Sequence, residues 1–381
     1  MSIKNYSQQW ITDQDVSIVS EALRAPYLTG GPSVEHFEKD IAEYVGSNYC
    51  AALNSATSAL HAACLAVGID GESLVWTSSI SFVASANCAK YCGAQVDFVD
   101  IDPETFVIST AKLASKLAFA KKNNKLPDLL IVVHLGGLSA DMKAIKKLAD
   151  IYKFKIIEDA SHALSALYAK KRVGSCQYSD MCVFSFHPVK IITTLEGGVV
   201  TTNDHQYYEK IKLLSSHYTK VSYSAISEPW EYEQIGLGYN FRMNDVQASL
   251  GISQLKRIDE FKAKRLEIAH EFKSKLDRSK THSQKIDILE KSSFHLFIIN
   301  LKGSDITKRR RTLYDTLLEN GYKTNVHYIP IHTQPYYKSQ SVYTSLENSE
   351  AYYQSALSLP IYPNLASCDV KKICEIVNSA K

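Results

Sequence analysis

Between residues 49 and 203 short apolar runs alternate with segments whose apolar positions recur every three or four residues. The runs predict strands at 49–53, 73–77, 95–99, 129–134, 154–158, 181–186 and 198–202, and the helical spacing predicts helices near 56–68, 81–91, 109–119 and 141–153. Several runs, such as LLIVV, are apolar at every position, as a strand covered on both faces requires. Strand–helix alternation of this kind predicts an α/β domain built on a mostly parallel sheet.

The flanking segments read differently. Asp13 to Ala25 and Val34 to Val45 carry helical spacing, separated by the turn-rich stretch Pro26–Pro32. Beyond residue 203 the spacing predicts helices at 204–214 and 245–255, with a polar, tyrosine-rich loop at 217–240 between them. A charged helix at 256–277 then reads as a connector. FHLFIIN (294–300), a helix at 305–320 and TNVHYIP (324–330) predict a small α+β domain. The expected division is therefore 1–255 and 256–381. Lys308–Arg311 is a basic cluster, but its helix carries Ile306, Leu313 and Leu317, so a solvated helix face is expected, with a role near an anionic substrate as the alternative.

Composition narrows the class. With 45% hydrophobic and 22% charged residues the chain is an ordinary globular protein, and a formal charge of +3 gives no case for nucleic acid. The eight cysteines form no paired CxxC motifs, which argues against a structural zinc site. The N-terminus MSIKNYSQQW lacks an apolar signal core, and no run reaches the length of a membrane span. A soluble, cytoplasmic protein with reduced thiols is expected, with no membrane partner.

Four polar segments follow predicted strands, where open α/β sheets bind ligands. Asn54–Ser58 opens a helix with hydroxyls and free amides suited to a phosphate dianion. Glu158–His162 places a carboxylate after a buried strand. Ser185–Lys190 places a lysine after an apolar strand and a proline turn, where desolvation would lower its pKa and make it a better nucleophile. Glu196–Gly198 puts glycines before the next strand. Composition alone leaves Lys190 a surface lysine and Asp159 a helix cap. Together, an anion cradle, an aspartate and a lysine describe a pyridoxal 5'-phosphate (PLP) site. A metal-dependent hydrolase using His162, His187, His217 and Asp159 has no compact motif to support it.

At GPSVEHFEKDIAEYVG, NSATSALHAACLAVG, IIEDASHALSA, YSDMCVFSFHPVKIITTLEGGVVTTND and GYNFRMNDVQASLGISQL the chain resembles the sugar aminotransferases of the DegT/DnrJ/EryC1/StrS family. The resemblance continues through VHYIPIHTQPYY and SLPIYPNL. It implies the fold type I, aspartate aminotransferase-like architecture, with a large PLP-binding domain and a smaller α+β C-terminal domain. It implies that Lys190 is the Schiff-base lysine, that Asp159 pairs with the pyridine nitrogen, and that His162 lies by the ring and its O3′. Phe82 would stack on the ring, Thr57, Ser58 and Ser185 would hold the phosphate, and His187 would orient the substrate or the loop. Asn240 would reach the partner's phosphate across a homodimer interface. Arg242, His327, Tyr328 and His332 would lie near the substrate. Among the branches, the sequence looks most like enzymes that use L-glutamate to aminate C4 of a UDP-linked 2-acetamido-2,6-dideoxy-β-L-arabino-hexos-4-ulose, on the route to pseudaminic acid. Related 4-keto sugars of the bacillosamine or perosamine type, or a non-catalytic PLP-binding regulator, are the alternatives. Two departures stand out. Leu195 replaces the glycine of the usual Thr-Gly-Glu-Gly-Gly, and Leu214–Tyr218 reads Leu-Ser-Ser-His-Tyr in place of Leu-Arg-Ser-His-Gly. Leucine at a position needing φ > 0 would carry strain.

Overall fold

The computed structural model describes residues 3–221, 228, 230–339 and 345–380. Seven strands build the central sheet: β1 Tyr49–Leu53, β2 Leu74–Ser78, β3 Gln95–Val99, β4 Leu129–Val133, β5 Lys155–Asp159, β6 Met181–Ser185 and β7 Gly198–Thr202. Each predicted strand is present, within one residue at either end. Their order across the sheet is β1-β7-β6-β5-β4-β2-β3. β7 runs against its neighbours β6 and β1, and the remaining pairings are parallel.

The apolar strands are explained by cover on both faces. All five residues of β4 are buried. Because successive side chains point to opposite faces, Ile131 joins one core with Leu53, Leu60 and Val183, while Leu130 and Val132 join another with Leu113, Leu117 and Ile145. Helices flank the sheet: α1 Asp13–Ala22, α2 Pro32–Val45, α3 Ala56–Ala66, α4 Ala84–Tyr91, α5 Thr110–Lys122, α6 Met142–Tyr152, α7 His205–Ser215 and α8 Asp245–Leu255. Side-chain caps fix several starts. Ser55 accepts from the Ser58 N–H at α3, and Asp141 accepts from the Ala144 N–H at α6. Buried Asp15 pins α1 to α8, accepting from Ser253, Gln254 and Arg257.

The next helix, α9 Ile258–Lys275, bridges two cores. Ile258 and Phe261 belong to the large domain's core, whereas Ile268, Ala269 and Phe272 pack in the smaller C-terminal one. That smaller domain holds a three-stranded antiparallel sheet of Thr281–Ser283, Phe297–Leu301 and Ala356–Leu359, with Phe297–Leu301 in the centre. Helices Ile306–Glu319 and Ser367–Ser379 cover it. The segment 324–330 forms no strand; its one ladder contact is the bridge Asn325–Ser358. The predicted loop 217–240 contains a short ladder between Thr219–Val221 and Tyr232–Gln234, and its residues 222–227 and 229 lie outside the described residues. The N-terminal segment straps the two domains together. Lys4 bridges to Tyr322, and the Ser7 hydroxyl donates to the Val189 carbonyl at 2.8 Å.

Candidate active site

A cavity of about 470 Å³ opens where β4, β5 and β6 end, beside the start of α3. Val133, Asp159 and Ser185, the last residues of those strands, all line it. This is the sheet edge at which α/β folds bind ligands.

One end of the cavity is built for an anion. Ser55, Ala56 and Thr57 face it. Among the described residues the amides of Ala56 and Thr57 have no backbone or side-chain acceptor, as expected of the first residues of a helix. Gly198 allows this approach, since a Cβ there would stand 2.5 Å from the Ala56 nitrogen. Ser185 adds a hydroxyl-bearing side chain at the cavity wall. Ser58 does not line the cavity; its Oγ lies 3.0 Å from Ser55 Oγ, within the helix cap.

Asp159 is buried at the floor. Its Oδ2 accepts from Ser85 Oγ at 2.5 Å, and Ser81 Oγ lies 2.6 Å from Ser85 Oγ. Its Oδ1 accepts from the Ser161 N–H at 3.1 Å. Two donors, the Ser85 hydroxyl and the Ser161 N–H, thus hold the Asp159 carboxylate in place. Glu158, one residue earlier, points to the opposite face of the strand, where it meets His134 at 2.7 Å and Ser179 at 2.5 Å. Strand alternation therefore selects Asp159 for the cavity.

Lys190 closes a turn in which its N–H donates to the His187 carbonyl at 2.9 Å. Its side chain is half-buried and lines the cavity. Burial pushes the ammonium down from 10.5 to about 8, against the opposing pull of the Asp159 charge. A lysine so placed carries a far larger neutral, nucleophilic fraction near physiological pH than an ordinary lysine does.

His162 and Tyr328 form a third wall. Tyr328 Oη lies 3.1 Å from His162 Nε2, and His162 Nδ1 accepts from the Gly136 N–H at 3.3 Å. His295 packs against His162 with ring centroids 4.4 Å apart. Burial, then the neighbouring charges of Lys190 and His327, hold His162 well below the usual histidine range. His327 is lowered to about 3 by burial and by Lys190, and its Nδ1 lies 2.8 Å from Ser358 Oγ. Phe82 stands exposed at the rim, 6.1 Å from the Tyr328 ring.

Not every predicted residue gathers here. His187 lines the cavity but is exposed, with Nε2 3.9 Å from Glu196. His332 lies outside it: Nδ1 is 2.6 Å from Ser79 Oγ and Nε2 is 3.2 Å from Glu350. A substrate contact from His332 is not supported, because both nitrogens serve the junction of the domains. Arg242 is exposed and donates to Ser216 Oγ at 3.1 Å, away from the cavity. Asn240 is likewise exposed and outside it. Tyr6, Ser81, Ser85, His295 and Asn325 were not foreseen. The hydroxyl run SSISFVAS was a usable signal for Ser81 and Ser85, whereas Tyr6 and His295 arrive from distant sequence and carried none.

These groups suit PLP on observations of this chain alone. Unpartnered amides at a helix start match a phosphate, a supported carboxylate matches a protonated ring nitrogen, and a depressed lysine matches the aldehyde. Among the described residues no group of three or more His, Cys, Asp or Glu is arranged to hold a metal ion, and no helix is long and apolar enough to cross a membrane.

Comparisons with known proteins agree. The sequence pattern described as the DegT/DnrJ/EryC1/StrS aminotransferase family matches residues 9–378. The UDP-4-amino-4,6-dideoxy-N-acetyl-beta-L-altrosamine transaminase of Campylobacter jejuni subsp. jejuni serotype O:23/36 (strain 81-176) is 39% identical over 367 residues, covering 96% of this chain and 94% of the relative. Among solved structures, Helicobacter pylori PseC, an aminotransferase involved in the biosynthesis of pseudoaminic acid, superposes with a TM-score of 0.90 at 31% identity, covering 99% of this chain and 98% of that one. Spr1654 from Streptococcus pneumoniae in its PLP-form superposes with a TM-score of 0.87 at 26% identity, covering 98% and 97%.

Proposed function

The chain belongs to the DegT/DnrJ/EryC1/StrS aminotransferase family and is a PLP-dependent aminotransferase of fold type I, and from that premise we propose which amino transfer it performs. The donor is L-glutamate. The acceptor is the C4 ketone of UDP-2-acetamido-2,6-dideoxy-β-L-arabino-hexos-4-ulose, and the product is UDP-4-amino-4,6-dideoxy-N-acetyl-β-L-altrosamine, a step toward pseudaminic acid. The similarity to the Campylobacter transaminase over nearly the whole of both chains supports this sugar. The observation that carries the chemistry is one cavity shared by a depressed lysine and a supported carboxylate.

Each residue has a task in this reading. The first amides of α3, with Thr57 and Ser185, bind the phosphate, and Ser58 acts indirectly by tightening the Ser55 cap. Asp159 holds a proton on the ring nitrogen, and when bound PLP supplies an electron sink for the carbon that loses a proton. Lys190, as a neutral amine, takes the α-proton of glutamate and later delivers a proton to C4 of the sugar. Phe82 and His162 pack beside the ring. His187 and His327 flank the Lys190 end of the cavity.

The active unit is a homodimer. Asn240 and Arg242, turned away from their own cavity, serve the neighbouring one. Leu28, Leu195, Ile235 and Leu237 are exposed apolar side chains, and Leu237 is 80% exposed; a second copy covers them. The eight cysteines are free thiols, which suits the cytoplasm.

The test is a glutamate-dependent amination assay that offers the L-arabino 4-keto UDP-sugar beside its D-xylo epimer, with products read by mass and NMR. Preference for the L-arabino substrate, abolished by Lys190→Ala, is expected. Turnover of the D-xylo epimer alone would remove the pseudaminic assignment and leave the chemistry.

A further inference from the structure

The hydroxyl of Tyr328 and the imidazole of His162 form a pair whose proton positions follow from geometry. His162 Nδ1 lies 3.3 Å from the N–H of Gly136. A backbone amide nitrogen only donates, so Nδ1 is the lone-pair nitrogen and the ring's proton sits on Nε2. The opposite tautomer would set two N–H groups against each other in a buried site, leaving both unsatisfied. Nε2–H therefore donates to Tyr328 Oη across 3.1 Å. A phenol oxygen that accepts from His162 keeps its own proton for another acceptor.

Among the described residues His162 is the hydrogen-bond partner recorded for that hydroxyl, and Tyr328 lines the cavity together with Lys190 and Asp159. The frame around the pair is tightly held. Ser293 Oγ donates to the His162 carbonyl at 2.6 Å, and Tyr352 Oη donates to the His327 carbonyl at 2.6 Å. Gly136 and Gly137, with φ of 71° and 100°, make the turn that aims the Gly136 amide, and a Cβ on Gly137 would meet Ser293 Oγ at 2.1 Å. Burial keeps the Tyr328 phenol well above its usual range, so its proton stays in place, and it keeps the imidazole neutral.

We propose that Tyr328 donates a hydrogen bond to an acceptor oxygen of the molecule bound in the cavity, and that His162 is the positioning residue that fixes the direction of that donation. The inference rests on the aminotransferase reading and departs from the expectation that His162 itself meets O3′, because both imidazole nitrogens already have partners. The acceptor is an electron-rich oxygen. It belongs either to the cofactor ring or to the carbonyl or carboxylate of a substrate.

The experiment uses full-length Tyr328→Phe, which keeps the ring and removes only the hydroxyl. PLP is titrated into the apo-protein, the visible absorbance of the bound cofactor is followed against pH, and the glutamate and sugar half-reactions are timed separately. A cofactor oxygen predicts an approximately tenfold weaker PLP Kd, about 1.4 kcal/mol, with a shifted pH midpoint of the absorbance. A substrate oxygen predicts an unchanged Kd and midpoint, with one half-reaction slowed about tenfold. In either case His162→Leu reproduces the change and His162→Gln, which retains an N–H, restores part of it. Parent-like behaviour of Tyr328→Phe in every measurement would overturn the proposal. Failure of the parent protein to hold PLP on Lys190 after borohydride reduction would instead refute the reading beneath it.

Discussion

Ser85 Oγ donates to Asp159 Oδ2 at 2.5 Å, joining the first turn of α4 to the last residue of β5. The contact is buried, and Ser81 lies 2.6 Å behind it. In the proposed reading, that hydroxyl orients the carboxylate that would face the ring nitrogen of bound PLP.

Ser85→Ala removes that donor without adding bulk. A hydrogen bond to a charged group contributes about 1.5–3 kcal/mol, so PLP affinity is expected to weaken by roughly one to two orders of magnitude. Titration of the apo-protein measures it, and an affinity within twofold of the parent would refute the support role.

The depressed lysine has a pH signature. With its pKa near 8 rather than 10.5, the neutral amine that attacks PLP is already dominant above pH 8. The rate of PLP uptake by apo-protein is expected to rise with pH and level off just above 8, whereas an ordinary lysine would give a rate still climbing at pH 10. Between those two pKa values the unfolded chain binds more protons at this group, so its contribution to apo-protein stability rises with pH. Lys190→Met abolishes both uptake and that increment, readable by urea unfolding at pH 7.5 and 9.5.

His162, His295 and His327 are all held below the ordinary histidine pKa by burial. Below about pH 6.5 the unfolded chain takes up these protons and the folded chain does not, so stability falls as acid is added. Urea unfolding of the apo-protein between pH 7 and 5 is expected to show net proton uptake approaching three from these rings. His327→Phe should lower that uptake by about one proton, whatever it does to the absolute stability.

Leu195 has φ of 68° and is 56% exposed, so its backbone is strained while its side chain buries little within the protomer. This bears out the expectation from its place in Thr-Leu-Glu-Gly-Gly. Leu195→Gly is expected to stabilise the isolated protomer by up to about 1 kcal/mol. Leu195→Ala keeps the Cβ and is expected to give no gain. Denaturant midpoints of the three proteins at low concentration decide it.

Much of the site was legible because its parts are local. The strand ends that carry Asp159 and Ser185, the turn that carries Lys190 and the helix start at Ser55–Thr57 are each written in a few consecutive residues. The unbroken apolar run LLIVV likewise announced a sheet covered on both faces, and all five of its residues are buried. The terminal elements were harder. Helix Glu347–Ser355 has few apolar residues to give it a period, and Ala356–Leu359 is a strand of four residues recognisable only beside Phe297–Leu301.

The amino-acid sequence by itself determined the α/β class, the seven strands and the lysine–aspartate pair, since hydrophobic period and turn chemistry act over short stretches of chain. The tertiary structure alone decided which polar groups meet. It sent His332 to Ser79 and Glu350 rather than the cavity, brought Ser85 under Asp159 and set Tyr328 against His162. The partners in the last contact are 166 residues apart. No local pattern encodes such a meeting, because it depends on how the smaller domain packs against the strand ends of the larger one.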